Sequence, residues 1–293
     1  MRILHLDAGR EMRGGQWQAL RLIEGLAVEG VESTLLARPG TPIFEQARQR
    51  GCRVEPLGLA RLAVLARRHD LVHAHDSRSH TLAALTAGAP LVVSRRVAFP
   101  ISSRWKYNRP THFLAVSEFV KSLLMERGVP PEKVSVVYDG VPVLDPSQGT
   151  LVVAPANQDD PRKGAPLAVE AARRAGVELT LSTLLERDLR DAAIFVYITH
   201  SEGLGSGALL AMSAGVPVVA SKVGGLPEIV EHRQTGLLVE NETAAIAAAI
   251  GELRADPGLA RSLGLAARRR VMENFTVGHM VRRTMEIYRQ VIP

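Results

Sequence analysis

From one end almost to the other, the chain alternates short apolar β-like runs with helix-like runs, and that alternation admits few folds. "MRILHLDA" reads as a strand, and "GGQWQALRLIEGLAVEG" as a helix with Ala19, Leu20, Leu22, Ile23 and Leu26 at helical spacing. "ESTLLARPG", "CRVEPLG", "HDLVHAHD", "APLVVSRR", "HFLAVSE" and "KVSVVYDG" are further strands. Most are separated by helical stretches such as "PIFEQARQRG", "SHTLAALTAG" and "SEFVKSLLMERG". In the last of these, Ser117 suits an N-cap and Gly128 a C′ position. Repeated β-α-β predicts a parallel sheet whose two faces are covered by helices.

At "YDGVPVLDPSQGT" the pattern pauses in Pro, Gly and Asp, which marks a linker. It restarts with "LVVAPAN", "KGAPLAVEAARRAG", "VELTLST", "LRDAAIFVYITH", "VPVVAS", "TGLLVE" and "ETAAIAAAIGELRAD", and ends in a strongly helical stretch. The reading is α/β throughout: two doubly wound, Rossmann-like domains facing a cleft, residues 1–145 and 146–275. Residues 276–293 are expected to form a C-terminal helix packing back toward the first domain. In such sheets ligands bind outside the carboxyl ends of the strands.

Composition narrows the function. With 293 residues, 46% hydrophobic and 23% charged, the chain is ordinary for a globular protein and long enough for two medium domains. A single cysteine, Cys52, excludes an internal disulfide framework and any multi-cysteine metal site, so a reducing, cytoplasmic setting is expected. "MRILHLDAGREMRGG" turns polar too early for a signal peptide, and nothing approaches a bilayer-spanning run. The net charge of +6 favours anionic partners, but with 4% aromatic residues little is left for stacking bases, and no nucleic-acid partner is expected.

The stretch "HSEGLGSGALLAMSAGVPVVAS", His200 to Ser221, is the most telling. A glycine-rich strand-to-helix turn points backbone N–H groups at a ligand, and the helix start favours negative charge, which together suggest phosphate capture. Glu202 stands at the turn, where a carboxylate can accept hydrogen bonds from sugar hydroxyls; the plain alternative is an ordinary capping glutamate.

"SEGLGSGALLAMSAGVPVVASKVGGLPEIVEHRQTGLLV" closely resembles the donor-binding core of the group 1 (family 4) retaining glycosyltransferases, which have the two-domain GT-B fold. "GGQWQALRLIEGLAVEG", "HDLVHAHD" and "RKGAPLAVEAA" occupy the family's expected order. The resemblance implies transfer of a sugar from a nucleotide-diphosphate donor, UDP- or GDP-linked, to a glycan or lipid-linked acceptor with retention of configuration. This is chemistry of polysaccharide or lipopolysaccharide biosynthesis, with no cofactor and no metal. It implies that Glu202 serves the donor sugar and Lys163 the diphosphate, with Arg162 assisting. Gly203, Leu204, Gly205 and Ser206 would hold the phosphates, and Gly14, Gly15, Asp76 and Arg96 would lie on the acceptor or sugar side. A leaving diphosphate needs its growing charge stabilised, which an ammonium and a helix N-terminus provide.

Four features depart from the family pattern. Leu210 stands where a ribose-binding Glu is usual, Gln158 where an Arg is usual, and Arg95–Arg96 where a His is common. Only "VELTLSTLLERD" separates "KGAPLAVEAARRAG" from "LRDAAIFVY", so the second domain is abbreviated. These departures keep a rival in view, a non-catalytic relative that binds sugar or nucleotide or acts as a scaffold.

His73 and His75 lie two apart on one side of a strand and, with Asp76, raise a metal site, but no third ligand follows at suitable spacing, and a loop facing the cleft is expected instead. "SRRVAFPISSRWKYNR", Ser94 to Arg109, is basic with interleaved aromatics and suggests either peripheral contact with an anionic membrane at its inner face, through Arg95, Arg96 and Arg104, or a grip on a phosphorylated acceptor; the plain alternative is a solvated loop with one packed aromatic. "DAGREMRGG" lacks the G-x-G-x-x-G spacing of a dinucleotide-dependent dehydrogenase, and no G-x-S-x-G hydrolase elbow occurs.

Overall fold

The computed structural model describes residues 1–86, 88–99, 104–156, 160 and 163–292. They fall into two compact units, residues 1–140 with 277–293, and residues 141–276. Gln158, Arg162 and the segment 100–103 lie outside the described residues.

The first unit runs β1 (Arg2–Asp7), α1 (Gly14–Val28), β2 (Glu32–Ala37), α2 (Pro42–Gln49), β3 (Arg53–Pro56), α3 (Leu59–Ala66), β4 (Leu71–Ala74), α4 (Ser77–Leu85), β5 (Leu91–Arg95), α5 (Arg104–Tyr107), β6 (His112–Ala115), α6 (Glu118–Glu126) and β7 (Val134–Val136). The second runs β8 (Leu151–Pro155), α7 (Ala165–Arg174), β9 (Leu179–Ser182), α8 (Leu185–Asp188), β10 (Ala192–Tyr197), α9 (Ser206–Ser213), β11 (Val218–Ser221), α10 (Leu226–Ile229), β12 (Leu237–Val239), α11 (Thr243–Ala255) and α12 (Pro257–Asn274). Helix α13 (Val277–Val291) then returns to the first unit.

Among the described residues the first sheet has the order β3-β2-β1-β4-β5-β6-β7 and the second β12-β11-β10-β8-β9, with every pairing parallel. These are two doubly wound sheets of the GT-B type. Strands such as β1 and β4 are buried on both faces, which is why they read as near-continuous apolar runs. Strand order reverses between β1 and β4 in one sheet and between β8 and β10 in the other. Those two switch points open crevices at the carboxyl ends of their strands.

Helix α13 closes the first core. Met280, Val281, Met285 and Tyr288 pack with Ile3, Leu22, Leu26, Val92 and Leu114. Gly25 lets α1 meet α13 closely, since a Cβ there would stand 2.5 Å from Val281 Cγ2. No helix among the described residues is long and apolar enough to cross a membrane.

Candidate active site

The second switch point is built by two loops. The stretch after β8 brings in Lys163, whose N–H donates to the Asp160 carbonyl (2.8 Å) and which bridges Thr199 across the crevice. The next residue has no room for a side chain, because a Cβ on Gly164 would lie 2.4 Å from Ile198 Cγ2. Strand β10 delivers Tyr197, Thr199 and then Glu202.

Lys163 Nζ donates to Glu202 Oε2 at 2.6 Å, and Tyr197 Oη donates to the same oxygen at 2.8 Å. The N–H of Gly203 donates to Glu202 Oε1 at 3.1 Å. The carboxylate therefore has three donors from residues up to 39 positions away. The two charged side chains keep 25% and 15% of their surface in solvent, so the pair is reachable rather than sealed. Burial and the Glu202 charge hold the Tyr197 phenol well above its usual range, so it stays a donor.

Helix α9 begins beside this pair. Gly205, its N-cap, has φ +110°, a left-handed geometry that favours glycine. Among the described residues no side chain caps the helix, which leaves its first amides without a side-chain acceptor. Gly224 and Gly225 support the turn from behind. A Cβ on Gly224 would stand 2.0 Å from the Glu202 carbonyl oxygen, and one on Gly225 2.2 Å from the Gly203 carbonyl oxygen. Leu204 and Leu210 contribute to the interior instead: Leu204 is buried, and Leu210, 7% exposed, lies on a helix buried over most of its length. The structure thus brings Glu202, Lys163, Gly203, Gly205 and Ser206 to one place, with the Leu204 side chain turned inward. Tyr197, Gly224 and Gly225 were not picked out as site residues from the sequence, although "GGxPEIV" carried the glycine pair.

At the first switch point Asp76 is a structural acceptor. It caps α4, taking the N–H groups of Arg78 (2.7 Å) and Ser79 (3.1 Å) and the Ser79 hydroxyl, and it accepts the Ala8 N–H at 2.7 Å. It therefore ties the loop after β1 to the start of α4. Asp7, at the end of β1, accepts from Gly9 N–H (2.9 Å) and Gln16 Nε2 (3.2 Å). Burial and the neighbouring Asp76 charge push its carboxyl up to about 6. Gly14 and Gly15 open α1, and Arg96 lies over Gly15: a Cβ there would be 3.9 Å from Arg96 Cδ.

Arg96 is itself fixed. Its Nε donates to Asp139 Oδ1 at 2.9 Å, and Nη1 approaches His75 Nδ1 at 3.4 Å. His75 Nε2 is 2.9 Å from His5 Nδ1, and His73 bonds Tyr288 Oη (2.5 Å) and Ser94 Oγ (2.8 Å). This corrects the sequence reading of His73 and His75, which are buried rather than on a loop facing the cleft. A third imidazole is also present, since β1–β4 pairing sets His5 beside His73. The nitrogens of the three approach within 4.8 Å of one another. Burial lowers all three, His5 to about 3, so they form a neutral, hydrogen-bonded cluster.

The basic segment also reads differently in space. Arg95 is buried, with its guanidinium 5.9 Å from the Tyr107 ring centroid and donating to the Phe99 carbonyl, and Arg96 is held by Asp139. Neither presents its charge to a membrane. Trp105 and Phe99 are exposed; residues 100–103 and the Arg104 side chain lie outside the described residues.

Residues 12–143 match the model described as Glycosyltransferase Family 4, and residues 130–256 the model Glycosyl transferases group 1. An alpha-maltose-1-phosphate synthase of Mycolicibacterium smegmatis is 41% identical over 132 residues, 41% of this chain and 34% of that protein. A D-inositol 3-phosphate glycosyltransferase of Streptomyces scabiei is 37% identical over 100 residues, 34% of this chain and 22% of that protein. The match to these curated relatives spans about a third of their length or less. Among solved structures, Anabaena Alr3699/HepE in complex with UDP-glucose superposes with TM-score 0.86 at 18% identity, over 99% of this chain and 100% of that one. Sucrose-phosphate synthase from Thermosynechococcus elongatus superposes with TM-score 0.78 at 19% identity, over 99% and 98%.

Proposed function

Both halves of the chain are domains of the group 1, family 4 glycosyltransferases, and on that footing we propose that the protein transfers a sugar from a nucleotide-diphosphate donor to a glycan or lipid-linked acceptor, with retention of configuration. The observation that carries the reading is the meeting of Lys163, Glu202 and the uncapped start of α9 at the carboxyl ends of β8 and β10. A sheet needs none of these at its switch point. A nucleoside diphosphate needs a cation and a row of free amides there.

In this reading the Lys163 ammonium turns from Glu202 toward the diphosphate, whose charge grows as the bond from the anomeric carbon to the phosphate oxygen breaks. The amides of α9 take the remaining phosphate oxygens, and Glu202, freed of its partner, accepts hydrogen bonds from the sugar hydroxyls. Electrostatic stabilisation of this kind is worth about 3–4 kcal/mol per well-placed donor. The reading needs no bound cofactor and gives the charge work to the chain's own groups. Gly14, Gly15 and Arg96 are proposed for the sugar or acceptor side. Asp76, already holding several donors, orders that loop. The ion pair favours catalysis over a scaffold role, in spite of Leu210.

The test is calorimetric titration with UDP- and GDP-sugars, followed by NMR of the product's anomeric coupling. Binding lost in Lys163→Ala and an axial-to-axial or equatorial-to-equatorial outcome support the reading. No heat with any donor at millimolar concentration refutes it.

A further inference from the structure

Arg96 stands just past the end of β5, its stem against the start of α1, and two groups grip it there. Asp139, beyond β7, accepts from Nε at 2.9 Å, and His75, just past β4, meets Nη1 through Nδ1 at 3.4 Å. Only 11% and 9% of the Arg96 and Asp139 side chains is exposed, so the pair is largely desolvated and depends on further bonds to hold its geometry. The remaining N–H groups of the guanidinium have no partner among the described residues.

The direction of the bonds behind Arg96 follows from its chemistry. A guanidinium only donates, so His75 Nδ1 accepts from it. A neutral imidazole has a single N–H, which for His75 is then Nε2–H, and this donates to His5 Nδ1 at 2.9 Å. His5, neutral as well, is left with its proton on Nε2, a buried donor without a partner among the described residues. The His75 ring also packs on both neighbours, its centroid 5.2 Å from that of His5 and 4.1 Å from that of His73. His73 is itself held between Tyr288 and Ser94. Each of the three lone pairs thus already accepts a hydrogen bond, and close as the rings lie, the lone pairs do not converge on a metal ion.

A residue that merely filled the core at position 5 would not leave a buried N–H unmatched, since an apolar side chain avoids that cost. What the histidine adds is direction: an acceptor for His75 Nε2–H, which keeps the His75 lone pair on Arg96. We propose that His75 and His5 are positioning residues which, with Asp139, fix the Arg96 guanidinium at the carboxyl ends of β4 and β5 and present its remaining N–H groups to the sugar or acceptor. The proposal rests on the glycosyl-transfer reading for what those groups meet, and on the hydrogen bonds alone for how they are aimed.

Steady-state release of nucleoside diphosphate from UDP-glucose and GDP-mannose tests this in a double-mutant cycle. His75→Leu is expected to lower kcat at least about tenfold with donor KM within about twofold, the mark of a misaimed group. His75→Asn, whose carboxamide oxygen stands near the place of Nδ1, should recover to within about threefold of the native rate. Arg96→Lys keeps a cation for Asp139 but not the fork, and in that background His75→Leu should cost less than about twofold more. Long-range proton–nitrogen NMR spectra of histidine-labelled protein should show His75 and His5 protonated on Nε2, and mixed His75 tautomers in Arg96→Lys. A loss from His75→Leu that is as large in the Arg96→Lys background shows a merely structural role and overturns the proposal. So does a native His75 protonated on Nδ1, or uptake of one zinc ion per chain that His5→Leu abolishes. If His75→Leu does not fold, the tautomers of the native chain and of Arg96→Lys decide alone. Turnover with the wrong tautomers overturns the positioning and leaves glycosyl transfer standing. The expected tautomers without turnover on either donor uphold the positioning and tell against the transfer reading.

Discussion

Replacing Gly225 by alanine separates support of the Glu202 loop from every other role of the glycine pair. Gly225 has φ −82° and ψ −2°, which alanine adopts freely, so backbone strain does not enter. Alanine would even gain about 0.4–1 kcal/mol by restricting the unfolded chain. The new methyl group, however, would sit 2.2 Å from the Gly203 carbonyl oxygen and 3.0 Å from the Gly203 carbonyl carbon and Leu204 Cα. To restore ordinary contact the Glu202–Leu204 backbone must retreat by about 1 Å. Overpacking of this size costs about 1–3 kcal/mol, so the steric term wins. For a chain of this length that lowers Tm by roughly 2–10 °C. The larger effect is on function. The retreat carries Glu202 off the Lys163 ammonium, now 2.6 Å away, and re-aims the turn into α9. A misplacement of about 1 Å at a reacting centre costs on the order of 100-fold in rate. The assay is turnover of whichever nucleotide sugar binds, read as released nucleoside diphosphate, beside a melting curve. Gly251→Ala is the control, since a Cβ there meets nothing within 4 Å; mid-α11 it should stabilise by about 1 kcal/mol with turnover unchanged. A Gly225→Ala protein with a lowered Tm and native turnover would refute the claim that the glycines set the carboxylate's position.

Tyr197→Phe removes one of the three donors to Glu202 and is expected to lower kcat/KM about 10- to 100-fold, the worth of one hydrogen bond to a charged group. Asp7 has its folded-state pKa raised from 3.8 to about 6, so its protonated form suits the fold. Its contribution is fully present below about pH 3.8 and is lost as pH rises through about 6, a swing of about 3 kcal/mol. Asp7→Asn should therefore gain on the native protein between pH 4 and pH 8 in urea titrations, and parallel curves would reject the shift. The buried His5 acts with the opposite sign, its contribution being present above about pH 6.5 and lost as pH falls toward about 3. Leu210→Glu is expected to lower Tm by several degrees without tightening donor binding, because it puts a carboxylate into a largely buried helix; tighter UDP-sugar binding in that variant would show the position still faces ribose.

Much of this architecture is legible in the chain because buried parallel strands must be apolar on both faces and their crossovers must be amphipathic. β1, β4, β10 and β11 announce themselves in that way. The helix Leu59–Ala66 does not, since its leucines and alanines leave exposed apolar residues on the outer side as well. Lys163 and Glu202 were found through motif order, yet their contact is a product of the β8–β10 switch and no spacing encodes it. His5 was missed for the same reason. It stands 70 residues from His75, and only the register of β1 on β4 brings the rings together. Asp76 had a local signal, an aspartate just before a helix, and reading it as a cap would have placed it correctly. Arg95 and Arg96 look alike in a basic run, but successive residues at a strand's end point to opposite faces, and so one meets Tyr107 and the other Asp139.

The return of α13 to the first unit has a consequence for synthesis on the ribosome. The last piece of that unit's core, including the Tyr288 hydroxyl on His73, is separated from Gly140 by the 136 residues of the second unit. At about 5–20 residues per second the intervening stretch takes roughly 7–27 seconds to emerge. Throughout that interval the groove on α1 and β1 that Met280, Val281 and Met285 will fill stands open, and the nascent protein displays an apolar seam that a chaperone or a neighbouring copy can occupy first.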